Sequence, residues 1–228
     1  MNNFWLTDRP LRVAAWVLVA AFGVHLVNGL LVERLALGFE SFADYSDVNL
    51  LADAIGSLPW RASATAHLVS AFAVMTLAVA LASRVRVSNH WSWPLIAGTG
   101  VVSATGFALN GISGNLGAQV LDLLVSGNAA VAEAGLVAAL SLAVPIFNAL
   151  AIVMLGALVA LVSGWARAEC ALPRAAIWLG WATATSCVVM AFAYVPAYLL
   201  LIPAWTLTLV GAIRPVGAGA RDIHAHEL

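Results

Sequence analysis

The chain has 228 residues, of which 63% are apolar and only 9% charged, and its mean hydropathy is +0.97. Soluble domains are about half apolar and about a quarter charged, so this balance excludes an ordinary soluble domain, a disordered chain and a coiled coil. A formal net charge of −1, with ten Arg and no Lys, leaves no basic surface for nucleic acid. What remains is an all-α polytopic membrane protein whose first partner is the lipid bilayer.

A spanning helix needs about 20 mostly apolar residues, because the hydrocarbon core is about 30 Å thick. The first such stretch is 13–32, preceded by Arg9 and Arg12. It is too long for a signal-peptide core and lacks a small-x-small cleavage site, so it reads as an uncleaved span. The loop over 34–60 mixes Phe39, Phe42, Tyr45, Leu50, Leu51 and Ile55 with acids, which predicts a short amphipathic helix capping the bundle. Spans follow over 62–83 and 93–113, then a second amphipathic loop over 114–134 around Asp122, then a span over 136–163. The apolar run over 175–213 is too long for one helix and contains Tyr194-Val-Pro-Ala-Tyr198. Proline removes a backbone donor and favours a turn, so the run divides into spans 175–193 and 197–213. The expectation is a six-span transmembrane domain over 1–214 and a disordered cytoplasmic tail over 215–228.

The charges give an orientation. With both termini in the cytoplasm, inner segments hold Arg9, Arg12, Arg84, Arg86, Arg167, Arg174, Arg214 and Arg221, against Arg34 and Arg61 outside. That split follows the positive-inside rule. Trp5, Trp60, Trp91, Trp93, Trp165, Trp178 and Trp205 fall near span ends, as interfacial anchors do. Arg-only basic residues and Ala/Val richness fit a high-GC bacterial coding bias, hence a bacterial inner membrane.

Ionisable residues inside a membrane are costly and often functional. No Asp, Glu or Arg lies within a span, but His25 and His67 do, both in the outer half. Asn28 shares the helix face of His25, and Ser63, His67 and Ser70 form a stripe on the second span. Thr99, Ser103, Gly106 and Asn110 do the same on the third; Ser141 and Asn148 mark the fourth, with Pro145 between them. The candidate ligand-binding set is His25, Asn28, His67, Ser70 and Asn110, with Asn148 deeper. Small and polar residues at helical spacing are also what membrane helices use to pack, so packing alone accounts for the same pattern.

A redox reading uses His25 and His67 as haem b ligands, or the pair with Cys187 and Met190 on copper, since thiolate, thioether and imidazole suit that metal. A transporter reading would rest on Pro145 and Pro196. There is no Walker loop, no HExxH and no lysine for a Schiff base. Gly111-Ile112-Ser113-Gly114 is similar to the nucleophile motif of rhomboid intramembrane proteases. Those enzymes activate the serine with a histidine on a later span. Here His25 and His67 precede the serine, and the later His224 and His226 lie in the tail.

The later half resembles an uncharacterised family of six-span bacterial membrane proteins. The likeness lies in Leu172-Pro173-Arg174-Ala175-Ala176-Ile177-Trp178-Leu179-Gly180-Trp181, in Pro203-Ala204-Trp205 and in Leu209-Val210-Gly211. It implies the six-span fold and no chemistry. The functional expectation is a non-enzymatic membrane protein with a polar pocket in its outer half. It would serve as an accessory subunit beside a membrane-protein partner or second copy, or bind a small or lipidic ligand.

Overall fold

The computed structural model describes residues 8–28, 54–55, 57–127, 129–191, 193 and 197–212. Among these there are six helices and no strand: α1 (Asp8–Val27), α2 (Leu58–Val87), α3 (Trp93–Ser126), α4 (Ala130–Ala168), α5 (Arg174–Met190) and α6 (Tyr198–Ala212). The first four are long and apolar enough to cross a membrane, which supports a multi-pass membrane protein. The expected tail over 215–228 and most of the 34–60 loop lie outside the described residues.

Local chemistry sets the helix ends. Ser57 accepts a hydrogen bond from the Trp60 amide at 3.3 Å, and Pro59 suits a first turn that needs no donor. Past Val87, the chain turns through Asn89 at φ 55°, a left-handed conformation that asparagine tolerates. Pro94 then opens α3. Each helix packs against its sequence neighbours, and α6 returns to α1, so the six form a closed ring.

The burial pattern is that of a bundle in lipid. Large apolar side chains face outward, with Phe72 78% exposed and Leu142 68%, while Ser70, Ser103 and Ser163 are buried. In water this would be a severe exposed apolar surface; in a bilayer it is the expected arrangement. Arg9, Arg12, Arg84, Arg86, Arg167 and Arg174 all fall at one end of the ring. At the opposite end Arg61 pairs with Asp122 at 2.6 Å, tying the start of α2 to the far part of α3.

Three expectations need correction. The stretch 114–134 is not a loop: α3 runs to Ser126 and α4 begins at Ala130. These helices have 34 and 39 residues, about 51 and 58 Å, so they outreach a bilayer core of about 30 Å. The amphipathic pattern around Asp122 marks where α3 leaves lipid, with Leu121 buried against Ile55, Trp60, Val137 and Leu140. Pro145 does not break its span, since α4 passes through it. Trp60, Trp165 and Trp205 are not surface anchors but buried packing residues. Trp60 donates to the Gly114 carbonyl at 3.3 Å and Trp165 to Ser88 Oγ at 3.1 Å, so their indole N–H groups tie helices together. Trp91 and Trp178 do remain exposed near the Arg-rich end.

Helix α3 packs closely because its interface lacks side chains. A Cβ on Gly106 would lie 2.8 Å from the Ala151 backbone nitrogen of α4, and one on Gly111 would lie 2.7 Å from the Ala64 carbonyl of α2. Beside Gly106, Ser103 Oγ donates to the Ala151 carbonyl at 2.7 Å. These contacts explain Gly111 and Gly114 of the Gly-x-Ser-Gly sequence as packing glycines, Gly114 meeting Ala64 in the same way. Gly106→Ala is expected to cost about 1–3 kcal/mol, because backbone cannot move aside as a side-chain tip can. Gly98→Ala, which meets nothing within 4 Å, should be neutral or slightly stabilising. Thermal unfolding of both variants in detergent checks the contrast.

Candidate functional site

The interhelical contacts fix the depth of every polar residue. Gly111 of α3 meets Ala64 and Leu68 of α2, which places Asn110 level with His67. Gly106 meets Ala151 of α4 and Gly117 meets Leu140, so in this antiparallel pair Asn148 stands level with Asn110. His25 of α1 lies between Ser63 and Ser70 of α2, its Nδ1 3.4 Å from Ser63 Oγ and its Nε2 3.4 Å from Ser70 Oγ. One polar layer thus draws on four helices. Asn148 is not deeper than the histidines, because the Gly106–Ala151 and Gly117–Leu140 contacts set it level with Asn110.

The two imidazoles touch. Their ring centroids are 4.1 Å apart with a 59° tilt. His67 Nδ1 is 2.8 Å from the Ser63 carbonyl one turn back in α2. A carbonyl only accepts, so Nδ1 carries the proton, and a neutral ring must present Nε2 as a lone pair. The side-chain partner of His67 is Asn148. Asn28, at the end of α1, is buried.

Below the layer, toward the Arg-rich end, lies an aromatic floor. Phe22 meets His25 edge-on at 5.5 Å between centroids and Phe107 at 6.2 Å, and Phe107 reaches His67 at 5.9 Å. Both phenyl rings are buried, and the core beneath them holds Leu18, Val74, Leu77, Leu81, Ile152 and Leu155. Sequence reasoning missed this floor. Its signal was the apolar ring one turn before each key residue: Phe22 before His25 and Phe107 before Asn110.

Asn110 stands apart from its neighbours in the layer. It is 4% exposed, on the same face of α3 as Phe107, and its carboxamide has no hydrogen bond among the described residues. Buried side-chain amides are normally paired, so Asn110 brings spare hydrogen-bonding capacity to the layer; Ser163 Oγ and Trp205 Nε1, nearer the Arg-rich end, are likewise buried without a partner among the described residues.

Neither metal reading gains a full ligand set. Axial imidazoles on a haem lie on opposite faces of the macrocycle, with ligating nitrogens about 4 Å apart if each bond is about 2 Å. Their centroids would then be farther apart still. Rings in contact at 4.1 Å leave no room for a porphyrin, so His25 and His67 do not fit haem b. Cys187 packs against Gly156 of α4, and among the described residues no three His, Cys, Asp or Glu side chains gather. The thiol therefore does not join the histidines, and Met190, also buried, ends the same helix. His224 and His226 lie outside the described residues.

Purified protein is accordingly expected to show no Soret band; a Soret band lost on His25→Ala would contradict the ring contact. Compared with protein-family models, curated proteins and solved structures, the chain matches none of them.

Proposed function

We propose that this chain is a six-span integral membrane protein of a bacterial inner membrane, with its Arg-rich end and both termini in the cytoplasm. Six Arg at one end against Arg61 at the other, among the described residues, support the orientation. Helices α5 and α6, with 17 and 15 residues, reach about 25 and 22 Å, short spans that local bilayer thinning accommodates. Cys170 is exposed in the turn between Arg167 and Arg174, and Cys187 is buried. A membrane-impermeant maleimide should therefore label Cys170 in inverted vesicles but not in intact spheroplasts, and Cys187 in neither. Labelling of Cys170 in spheroplasts would reverse the topology.

Its role in this reading is binding. The polar layer is the site of a small or lipidic ligand, and the chain acts as a carrier of that ligand or as an accessory subunit beside a membrane partner. The observation that carries this is a polar layer drawn from four helices, in which Asn110 makes no hydrogen bond among the described residues and stands level with the touching rings of His25 and His67. The dry aromatic floor weighs against a conducting path to the cytoplasmic end.

One variant separates binding from packing. Replacing an unpaired buried amide by an apolar group of similar shape removes a desolvation cost. If the layer only packs, Asn110→Leu should raise thermal stability and leave the co-purifying molecules unchanged. If it binds, mass spectrometry of solvent extracts should show a stoichiometric molecule in the wild type that is lost from Asn110→Leu.

A second reading has one observation in its favour. A histidine whose Nδ1–H is held by a backbone carbonyl, leaving the lone pair on Nε2, is the arrangement typical of metal-bound imidazole. Stoichiometric copper in purified protein, lost in both His25→Ala and His67→Ala, would make the layer a metal centre.

A further inference from the structure

A second polar node lies nearer the Arg-rich end, where α4, α5 and α6 meet. Ser163 of α4, Gly180 of α5 and Trp205 of α6 are buried, Ser163 at 0% and Trp205 at 1% exposure. All three lie well inside their helices, so the node is built by helices and not by a loop. A Cβ on Gly180 would overlap Ser163 Oγ and lie 2.9 Å from Trp205 Nε1. Both polar atoms therefore converge on the space that this glycine leaves free. Among the described residues α4 and α6 each pack on α5 and not on one another, so the indole approaches Ser163 across a residue without a side chain.

Neither Ser163 Oγ nor Trp205 Nε1 has a hydrogen-bond partner among the described residues, and they do not bond each other. Other hydroxyls in these helices behave differently. Those of Thr76, Thr99, Thr105, Thr183 and Thr206 each donate to the carbonyl one turn back. Ser163 forgoes that bond and faces Gly180 of α5. A buried donor left unsatisfied keeps its full desolvation cost, and internal waters are what commonly join such groups in native proteins.

The chemistry of the node selects the ligand. Trp205 Nε1 only donates, whereas Ser163 Oγ both donates and accepts. Both groups are uncharged, so an ion would leave its hydration without gaining a counter-charge from them. A neutral oxygen that accepts from the indole and shares a hydrogen bond with the hydroxyl meets both demands. Size limits the choice further, because both side chains are fully enclosed. The two atoms lie within about 5 Å of each other, a gap that one water spans with two hydrogen bonds of about 2.9 Å.

We propose that the junction of α4, α5 and α6 is a binding site for a single internal water, which accepts from Trp205 Nε1–H and bonds Ser163 Oγ. Gly180 makes the site by keeping a side chain out of it. The water ties α6 to α4 past α5, a polar link that the packing of α5 alone does not provide.

The test is a density map of the full chain in lipid at a resolution that shows ordered water. The expected result is one water peak about 2.7–3.2 Å from both Trp205 Nε1 and Ser163 Oγ. Thermal unfolding in detergent adds a readout in solution. Ser163→Ala removes one of the water's two partners and should lower the unfolding midpoint by about 2–4 °C. With the hydroxyl simply unpaired, the same substitution would remove a desolvation cost and raise the midpoint. A map with the indole bonded directly to Ser163 Oγ, or with ordered side chains and no density between them, would overturn the proposal. So would a Ser163→Ala midpoint equal to or above that of the wild type.

Discussion

Lipid offers no hydrogen-bond partner, and the rest of this structure follows from that constraint. Every polar side chain within the membrane must find its partner inside the bundle. The hydroxyls of Thr76, Thr99 and Thr105 turn back onto carbonyls of their own helices, at 2.8, 2.8 and 2.9 Å. Ser103 crosses to α4, and the indoles of Trp60 and Trp165 cross to neighbouring segments. After these pairings a polar layer remains around His25, His67, Asn110 and Asn148, in which Asn110 makes no hydrogen bond among the described residues. Outside it, Ser163 Oγ and Trp205 Nε1, both beside Gly180, are also buried without a hydrogen-bond partner among the described residues.

The same constraint explains the glycines. With lipid as apolar as leucine, helices gain nothing hydrophobic by touching one another and rely on close packing. Gly106 and Gly111 bring α3 against the backbones of α4 and α2 respectively, which makes α3 the rigid centre of the first four helices. That closeness fixes the register placing Asn110 beside His67 and Asn148. Among the described residues, helices α5 and α6 are about half the length of α3 and α4.

Much of this was legible in the sequence. Hydropathy gave the long apolar helices, the proline at 196 divided the final run where α5 gives way to α6, and counting residues from the span ends put His25 and His67 in one layer. The errors share a cause: hydropathy reports contact with lipid, not helix continuity. It dropped where α3 and α4 project beyond the bilayer, so 114–134 read as a loop and Asn148 was set too deep. Tryptophans near span ends read as anchors because sequence cannot tell a lipid-facing indole from one turned inward to a carbonyl. The ring contact between His25 and His67, and the aromatic floor beneath, depend on helix rotation, which spacing along one chain does not specify.

The account turns on the state of His67. Solid-state 15N spectroscopy of histidine-labelled protein in lipid reads the tautomer directly. The account predicts a neutral ring protonated at Nδ1, with an unprotonated Nε2. A neutral ring protonated at Nε2, its Nδ1 bare, would contradict the hydrogen bond to Ser63 and remove the acceptor on which the site depends.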